Sequence, residues 1–313
     1  MPPDSSKPAP AAPETGANVR TVRTERTEGT EGTEGTEGTE SSGIPVLADS
    51  HSHLEFPQFD EDRDQVFERA WLSGVRHLVA IGSGTGPHRL RAGLEMAEGR
   101  DWVYPTIGIH PHEAKLATDE YFLELEQLAM NPRVIAVGEI GLDYHYDHSP
   151  RDIQQAVFRR QLDLAERNRL PVIIHCREAW PDCLRILEEH WKQTGLGGIF
   201  HCFSGSFEDA CRGMDAAFYI SFAGTLTFPK ADDLRDVAAK LPWDRLLIET
   251  DCPFLAPVPK RGKRNEPAFV QFVAQQMGLV RGVSGSEAAA ATTRNLLAFL
   301  GRVRADRAVT ADS

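Results

Sequence analysis

The feature that most constrains this chain is a rhythm. From Ile44 to about Val303, eight short aliphatic runs alternate with longer stretches of helical spacing. The runs are Val46–Asp49, His77–Ile81, Val103–Ile107, Val134–Val137, Pro171–Ile174, Gly198–Phe200, Ala217–Phe222 and Arg245–Ile248. Continuous apolar runs of this length suit strands covered on both faces, as in a parallel sheet. Ser149-Pro150 reads as the start of a helix, with Ser149 as N-cap and Ile153, Val157, Leu162 and Ala165 as its apolar face. Ser284 and Glu287 form a capping-box pair before the last helix. Eight strand–helix repeats in about 260 residues match the size of a (β/α)8 TIM barrel. A doubly wound open sheet is the alternative, because periodicity does not report closure.

Residues 1–43 break the rhythm. They carry T-E-G repeats from Thr27 to Glu40, and nothing aliphatic occurs from Arg23 to Gly43. Such a segment cannot bury enough surface to offset its ordering entropy. It reads as a disordered acidic tail, 44–303 as the barrel and 304–313 as a flexible end. The chain carries a net charge of −12, and the tail holds a third of it with four basic and eight acidic residues. An acidic chain argues against a broad basic nucleic-acid surface but leaves room for a local one. No apolar run is long enough to span a bilayer, and no secretory signal is visible. The five cysteines are odd in number and form no C-x-x-C, so a reducing, cytoplasmic setting is expected. No interface stripe stands out, and a monomer is expected.

In a barrel, chemistry gathers past the carboxyl ends of strands. The eleven histidines can be sorted against that demand. After the first run come His51 and His53, two residues apart and so on one side of a strand. His110 and His112 follow the third run, Glu139 the fourth, His175 the fifth, His201 the sixth and Asp251 the eighth. One such residue alone is usually structural. Such groups at the same place in six of eight repeats are not explained that way. His77, His88, His145, His148 and His190 fall elsewhere and read as structural or surface groups, with His145 and His148 near the rim. Imidazole and carboxylate ligands suit zinc, manganese, iron or nickel and tolerate magnesium. Six ligands exceed one tetrahedral ion, so two divalent metal ions are expected. Glu139 would bridge them, with His51, His53 and Asp251 on one and His175 and His201 on the other. Asp251 could also take a proton from the attacking water.

The motifs that carry these residues resemble the TatD family of metal-dependent hydrolases. They are D-S-H-S-H-L at 49–54, G-I-H-P-H at 108–112, V-G-E-I-G-L-D-Y at 137–144, I-H-C-R at 174–177, H-C-F-S-G at 201–205, E-T-D-C-P at 249–253 and R-G-K-R-N-E-P at 261–267. The resemblance implies an amidohydrolase-like TIM barrel that acts as a deoxyribonuclease, in some members as a 3′–5′ exonuclease on single-stranded DNA or RNA. It places the ligands on the six residues named above and His110 near the scissile phosphate. The residues themselves point more weakly to a phosphodiester. Arg177 lies two positions past His175 and could donate to a phosphate oxygen, as could His110. Lys260, Arg261, Lys263 and Arg264 form a basic run that could meet a nucleic-acid backbone. Phe203, Phe254 and Trp180 are candidate stacking surfaces.

Other readings remain in view. An amide or lactam hydrolase of the same superfamily would use a carboxylated lysine as bridge, but no lysine occurs between Lys115 and Lys192. An ester hydrolase, including one acting on aminoacyl-tRNA, would use the same metal pair. A barrel that had lost catalysis would be expected to have lost ligands, and all six are present. Magnesium, manganese and zinc are not separated by ligand type.

Overall fold

The computed structural model describes residues 45–83 and 86–311. The acidic tail expected over 1–43 lies outside the described residues. Eight strands follow one another around a single parallel sheet in chain order. They are β1 Leu47–Ser52, β2 Val75–Ala80, β3 Val103–Ile107, β4 Ala136–Asp143, β5 Val172–Arg177, β6 Gly198–Phe200, β7 Phe218–Phe222 and β8 Leu246–Ile248. Each expected run is therefore a strand.

β1 and β8 meet through the segment just past the end of β8. Asp251 N–H donates to the His51 carbonyl at 3.0 Å, and His53 N–H donates to the Cys252 carbonyl at 2.8 Å. The sheet is a TIM barrel, and its last seam runs through the motifs that carry His51, His53 and Asp251. Aliphatic and aromatic side chains such as Leu78, Ile81, Phe200, Phe218 and Phe222 are fully buried and form one continuous core.

The connecting helices are α1 Arg63–Leu72, α2 Ala92–Ala97, α3 Asp119–Ala129, α4 Arg151–Arg167, α5 Trp180–His190, α6 Phe207–Asp215, α7 Asp232–Lys240, α8 Val270–Arg281 and α9 Gly285–Ala311. The capping box ahead of α9 is present: Ser284 N–H donates to Glu287 at 2.8 Å, and Glu287 N–H donates back to Ser284 Oγ at 3.1 Å. α9 continues through Ala311, so residues 304–311, read from sequence as a flexible end, are helical. The Arg307 guanidinium ties this last stretch down by donating to the Ala129, Asn131 and Val134 carbonyls.

Two expectations about α4 are corrected. Ser149 is not its N-cap, because Ser149 Oγ donates to the His112 carbonyl at 2.7 Å and accepts from Lys115 N–H at 3.0 Å. The buried face also differs. Ile153 is exposed, and the side facing the barrel includes Gln154 and Gln161 beside Phe158, Leu162 and Ala165. The two amides are drawn inward by buried backbone groups that would otherwise lack partners.

β1, β4 and β5 run further than the aliphatic runs that marked them, carrying the ladder on through the site motifs. Gly141 lies inside β4 with φ +136, and a Cβ there would strike the His175 carbonyl across the ladder. Gly141→Ala is expected to destabilise the fold by about 1–3 kcal/mol or more, read as a lowered urea midpoint. An unchanged midpoint would mean that β4 and β5 can separate locally at no cost.

Candidate metal centre

The site is built from strand ends. In β1, Asp49 is held from the other side of the seam. Thr250 N–H donates to its Oδ1 at 2.9 Å and Thr250 Oγ1 to its Oδ2 at 2.6 Å. Ser50 Oγ lies 2.8 Å from Ser221 Oγ and donates to the Ile248 carbonyl. With β1 pinned this way, the His51 and His53 Nε2 atoms converge to 3.1 Å.

The Glu139 carboxylate reaches both halves of the site. Its Oε2 lies 3.4 Å from His51 Nε2 and 3.4 Å from His53 Nε2. Its Oε1 lies 2.8 Å from His175 Nδ1 and 2.8 Å from His201 Nε2. Asp251 Oδ1 approaches the first half, 3.8 Å from His51 Nε2 and 3.6 Å from His53 Nε2. The structure thus brings together all six residues singled out in the sequence. Three overlapping groups of them could each hold a metal ion: His51, His53 and Glu139; His51, His201 and Asp251; and Glu139, His175 and His201.

The outer nitrogens test whether this set fits a metal. His53 Nδ1 meets Glu55 Oε1 at 3.0 Å, His175 Nε2 meets Asp143 Oδ2 at 2.9 Å, and His201 Nδ1 meets Glu249 Oε1 at 3.1 Å. A carboxylate behind the imidazole is the usual support of a metal-binding histidine, because it fixes the tautomer and raises basicity. Three of the four histidines have one. His51 Nδ1 is buried without a partner among the described residues. The donor set fits a divalent cation. The sequence motifs contained Asp143 and Glu249 but gave them no role, since their partners lie on other strands. Glu55 was missed, although its spacing of two from His53 was a usable signal.

Charge is concentrated here. Burial alone would raise Glu139, but His201, His110 and His51 outweigh it and hold its carboxyl well below the ordinary value. Burial, aided by His201, pushes His51 down to about 3, which keeps its ring neutral and able to act as a ligand. Burial opposes charge on His53 too, but Glu55 and Glu139 prevail and raise it to about 10. His201 is likewise raised well above its ordinary value by Glu139 and Glu249 against burial. Protons on His53 and His201 therefore neutralise the carboxylates where a cation would otherwise do so.

Five of the six, all but the fully buried His51, border a cleft of about 730 Å³ whose walls include His110, His112, Tyr146, Arg177, Phe56 and Phe254. His110 Nε2 lies 3.4 Å from Glu139 Oε1. Among the described residues Arg177 forms no ion pair, and its guanidinium lies over the Tyr146 ring. Phe254 is half-exposed in the same cleft and packs edge-on against Phe56.

The other substrate candidates lie elsewhere. Phe203 is fully buried and Trp180 packs on it and on Phe200, so both belong to the core. Arg264 is committed to Asp62 at 2.7 Å and to the Gln58 carbonyl. Arg261 lies over the Phe228 ring, and neither it, Lys263 nor Arg264 lines the cleft. Adjacency to the eighth strand in sequence did not bring that run to the mouth, because Asp62 and Phe228 draw its arginines aside.

A TIM barrel with histidines and carboxylates converging at its strand ends defines a metal-dependent hydrolase. The chain belongs to the TatD related DNase family, whose model matches residues 48–301. It is 46% identical over 250 residues to the uncharacterized metal-dependent hydrolase YabD of Bacillus subtilis, covering 80% of this chain and 97% of that one. It is 35% identical over 235 residues to the 3′-5′ ssDNA/RNA exonuclease TatD of Rahnella sp., covering 74% and 89%. Among solved structures, the TatD homolog YJJV of Escherichia coli superposes with a TM-score of 0.75 at 32% identity, covering 81% of this chain and 97% of that one. No helix of the described residues is long and apolar enough to cross a membrane.

The sign of the pH dependence follows from His53. Its proton, retained up to about pH 10, stabilises the metal-free fold fully below 6.5, and that contribution is lost as pH rises toward 10. A cation on His53 must displace the same proton, so metal affinity rises over that range by about tenfold per pH unit for each proton released. Calorimetry in buffers of different ionisation enthalpy should show proton release on adding divalent metal at pH 7.5, and the Tm of EDTA-treated protein should fall faster toward pH 10 than that of loaded protein. Metal uptake without proton release would contradict this charge arrangement.

Proposed function

We propose that this hydrolase cleaves phosphodiester bonds of single-stranded nucleic acid, DNA and in some measure RNA, at a site holding two divalent ions. The observation that carries the reading is Glu139, with one oxygen toward the His51–His53 pair and the other toward the His175–His201 pair. In this reading His51, His53 and Asp251 would hold one ion and His175 and His201 the other, with Glu139 available to both. Bound divalent ions polarise a phosphoryl oxygen and lower the pKa of water. The nuclease name of the Rahnella relative supports the substrate class.

The chain's own groups supply the rest. Asp251 stands beside the first half of the site and takes the proton of the attacking water. His110 Nδ1 accepts from His112 N–H at 3.1 Å, so the neutral ring carries its proton on Nε2, toward the cleft. That N–H donates to a non-bridging oxygen or to the leaving oxygen. Arg177, whose guanidinium stacks on Tyr146 and forms no ion pair among the described residues, offers donors to the phosphate, and Phe254 offers a face to a base.

Digestion of end-labelled single-stranded DNA and RNA across a magnesium, manganese and zinc series, with and without EDTA, tests the proposal. Metal-replete protein should cut and EDTA should stop it. Glu139→Ala should lower turnover by more than about 100-fold, beyond what loss of a merely supporting group costs. Arg177→Ala should lower kcat/KM by about 10- to 100-fold, the worth of a charged hydrogen bond. Intact nucleic acid alongside cleavage of an ester, an aminoacyl-tRNA or an amide would replace the nuclease reading with the second superfamily activity.

A further inference from the structure

α4 carries two buried amides seven residues apart, Gln154 and Gln161. That spacing is two helical turns, so both face the barrel. Each holds the two backbone groups of a single residue beside the cleft. Gln161 Oε1 accepts from Ile109 N–H at 2.7 Å, and its Nε2 donates to the Ile109 carbonyl at 3.0 Å. Gln154 Oε1 accepts from Asp143 N–H at 2.8 Å, and its Nε2 donates to the Asp143 carbonyl at 3.0 Å and to the Ser149 carbonyl at 2.8 Å.

What each clamp holds is specific. The β3–β4 ladder pairs Thr106 with Ala136 and Ile107 with Val137 and extends no further, so Ile109 has no strand partner of its own. The next residue is His110. On the other side, Asp143 Oδ2 receives both His112 Nε2 and His175 Nε2 at 2.9 Å. The three imidazoles of this wall, His110, His112 and His175, bring ring nitrogens within 4.8 Å of one another. Their placement thus passes through two residues whose backbones are fastened to one helix.

We infer that Gln161 and Gln154 are positioning residues of the reaction, Gln161 acting through His110 and Gln154 acting through Asp143 on His112 and His175. The inference rests on the hydrolase reading above for its consequence in turnover. A side-chain amide here does the work of a neighbouring strand. It presents one acceptor and one donor at the spacing of a peptide group, and it fixes where the adjacent imidazole points without touching substrate.

The test is a double-mutant cycle on the full, zinc-loaded chain with bis(p-nitrophenyl) phosphate and with labelled single-stranded DNA. Gln161→Met keeps the volume and removes both hydrogen bonds. It should lower kcat by about 10- to 100-fold with KM changed less than about twofold, the cost of a misplaced catalytic group. In a His110→Ala background the same substitution should have no further effect on turnover, while its fall in Tm persists. Gln161→Leu, a second apolar side chain of similar volume, serves if the Met variant does not fold, and should give the same loss. Unchanged kcat, or an equal loss in both backgrounds, would overturn the inference and leave Gln161 as a packing residue. A second readout does not need turnover. In side-chain ¹⁵N spectra the Nε2–H tautomer of His110 should be sharp in the parent and averaged in Gln161→Met, and an unchanged signal counts against the clamp. Failure of the nuclease reading looks different: the parent protein then leaves every phosphodiester intact, and the spectra alone decide.

Discussion

The Glu139 carboxylate stands among five imidazoles in a buried site, and the surrounding structure is arranged around keeping it ionised. A carboxylate removed from water needs opposing charge close by. Here Oε2 faces ring nitrogens of His51 and His53 and Oε1 those of His110, His175 and His201, and three of those rings lean on carboxylates of their own, Glu55, Asp143 and Glu249. The result is a layered arrangement of alternating charge. Protons on His53 and His201 balance it when no cation is present, and a cation takes over that task by displacing them. Metal binding, protonation and stability of the strand ends are therefore one coupled equilibrium.

That equilibrium depends on the barrel seam. β8 is only three residues long, and the hydrogen bonds joining β1 to the region beyond it come from Asp251, His53 and the Asp49–Thr250 pair. The motifs that carry the candidate ligands are thus also the staples that shut the sheet. Buried hydrogen bonds to a carboxylate such as Asp49 are costly to break on one side only. The first and last strands are held in register by the same residues that neighbour the site. α4 adds the third element. Its two glutamines extend the supporting network past the point where β3 stops pairing with β4.

Much of the architecture was legible from the residues. All eight aliphatic runs are strands, since a strand buried on both faces has little choice but continuous Val, Ile and Leu. The six converging residues were legible for a related reason: the period of the repeat assigns each motif to the same end of the barrel. What failed to read were relations between distant segments. Ser149 looked like a cap until His112 and Lys115 claimed its hydroxyl. Ile153 looked like core until two glutamines took the inward face. The basic run at 260–264 sat near the eighth strand, yet Asp62 and Phe228 hold its arginines away from the cleft.

The sequence by itself determined the number and order of strands, which histidines and carboxylates converge, and the family. These depend on period and on local motif, which one stretch of chain carries alone. Tertiary structure decided which histidine nitrogen faces which oxygen, which carboxylate stands behind each ring, and that α4 fastens Ile109 and Asp143. Apart from Glu55 behind His53, those are pairings across 11 to 52 residues or more. They are set by where packing brings two backbones together and by the need of each buried polar group for a partner, and neither leaves a mark in the spacing of a single segment.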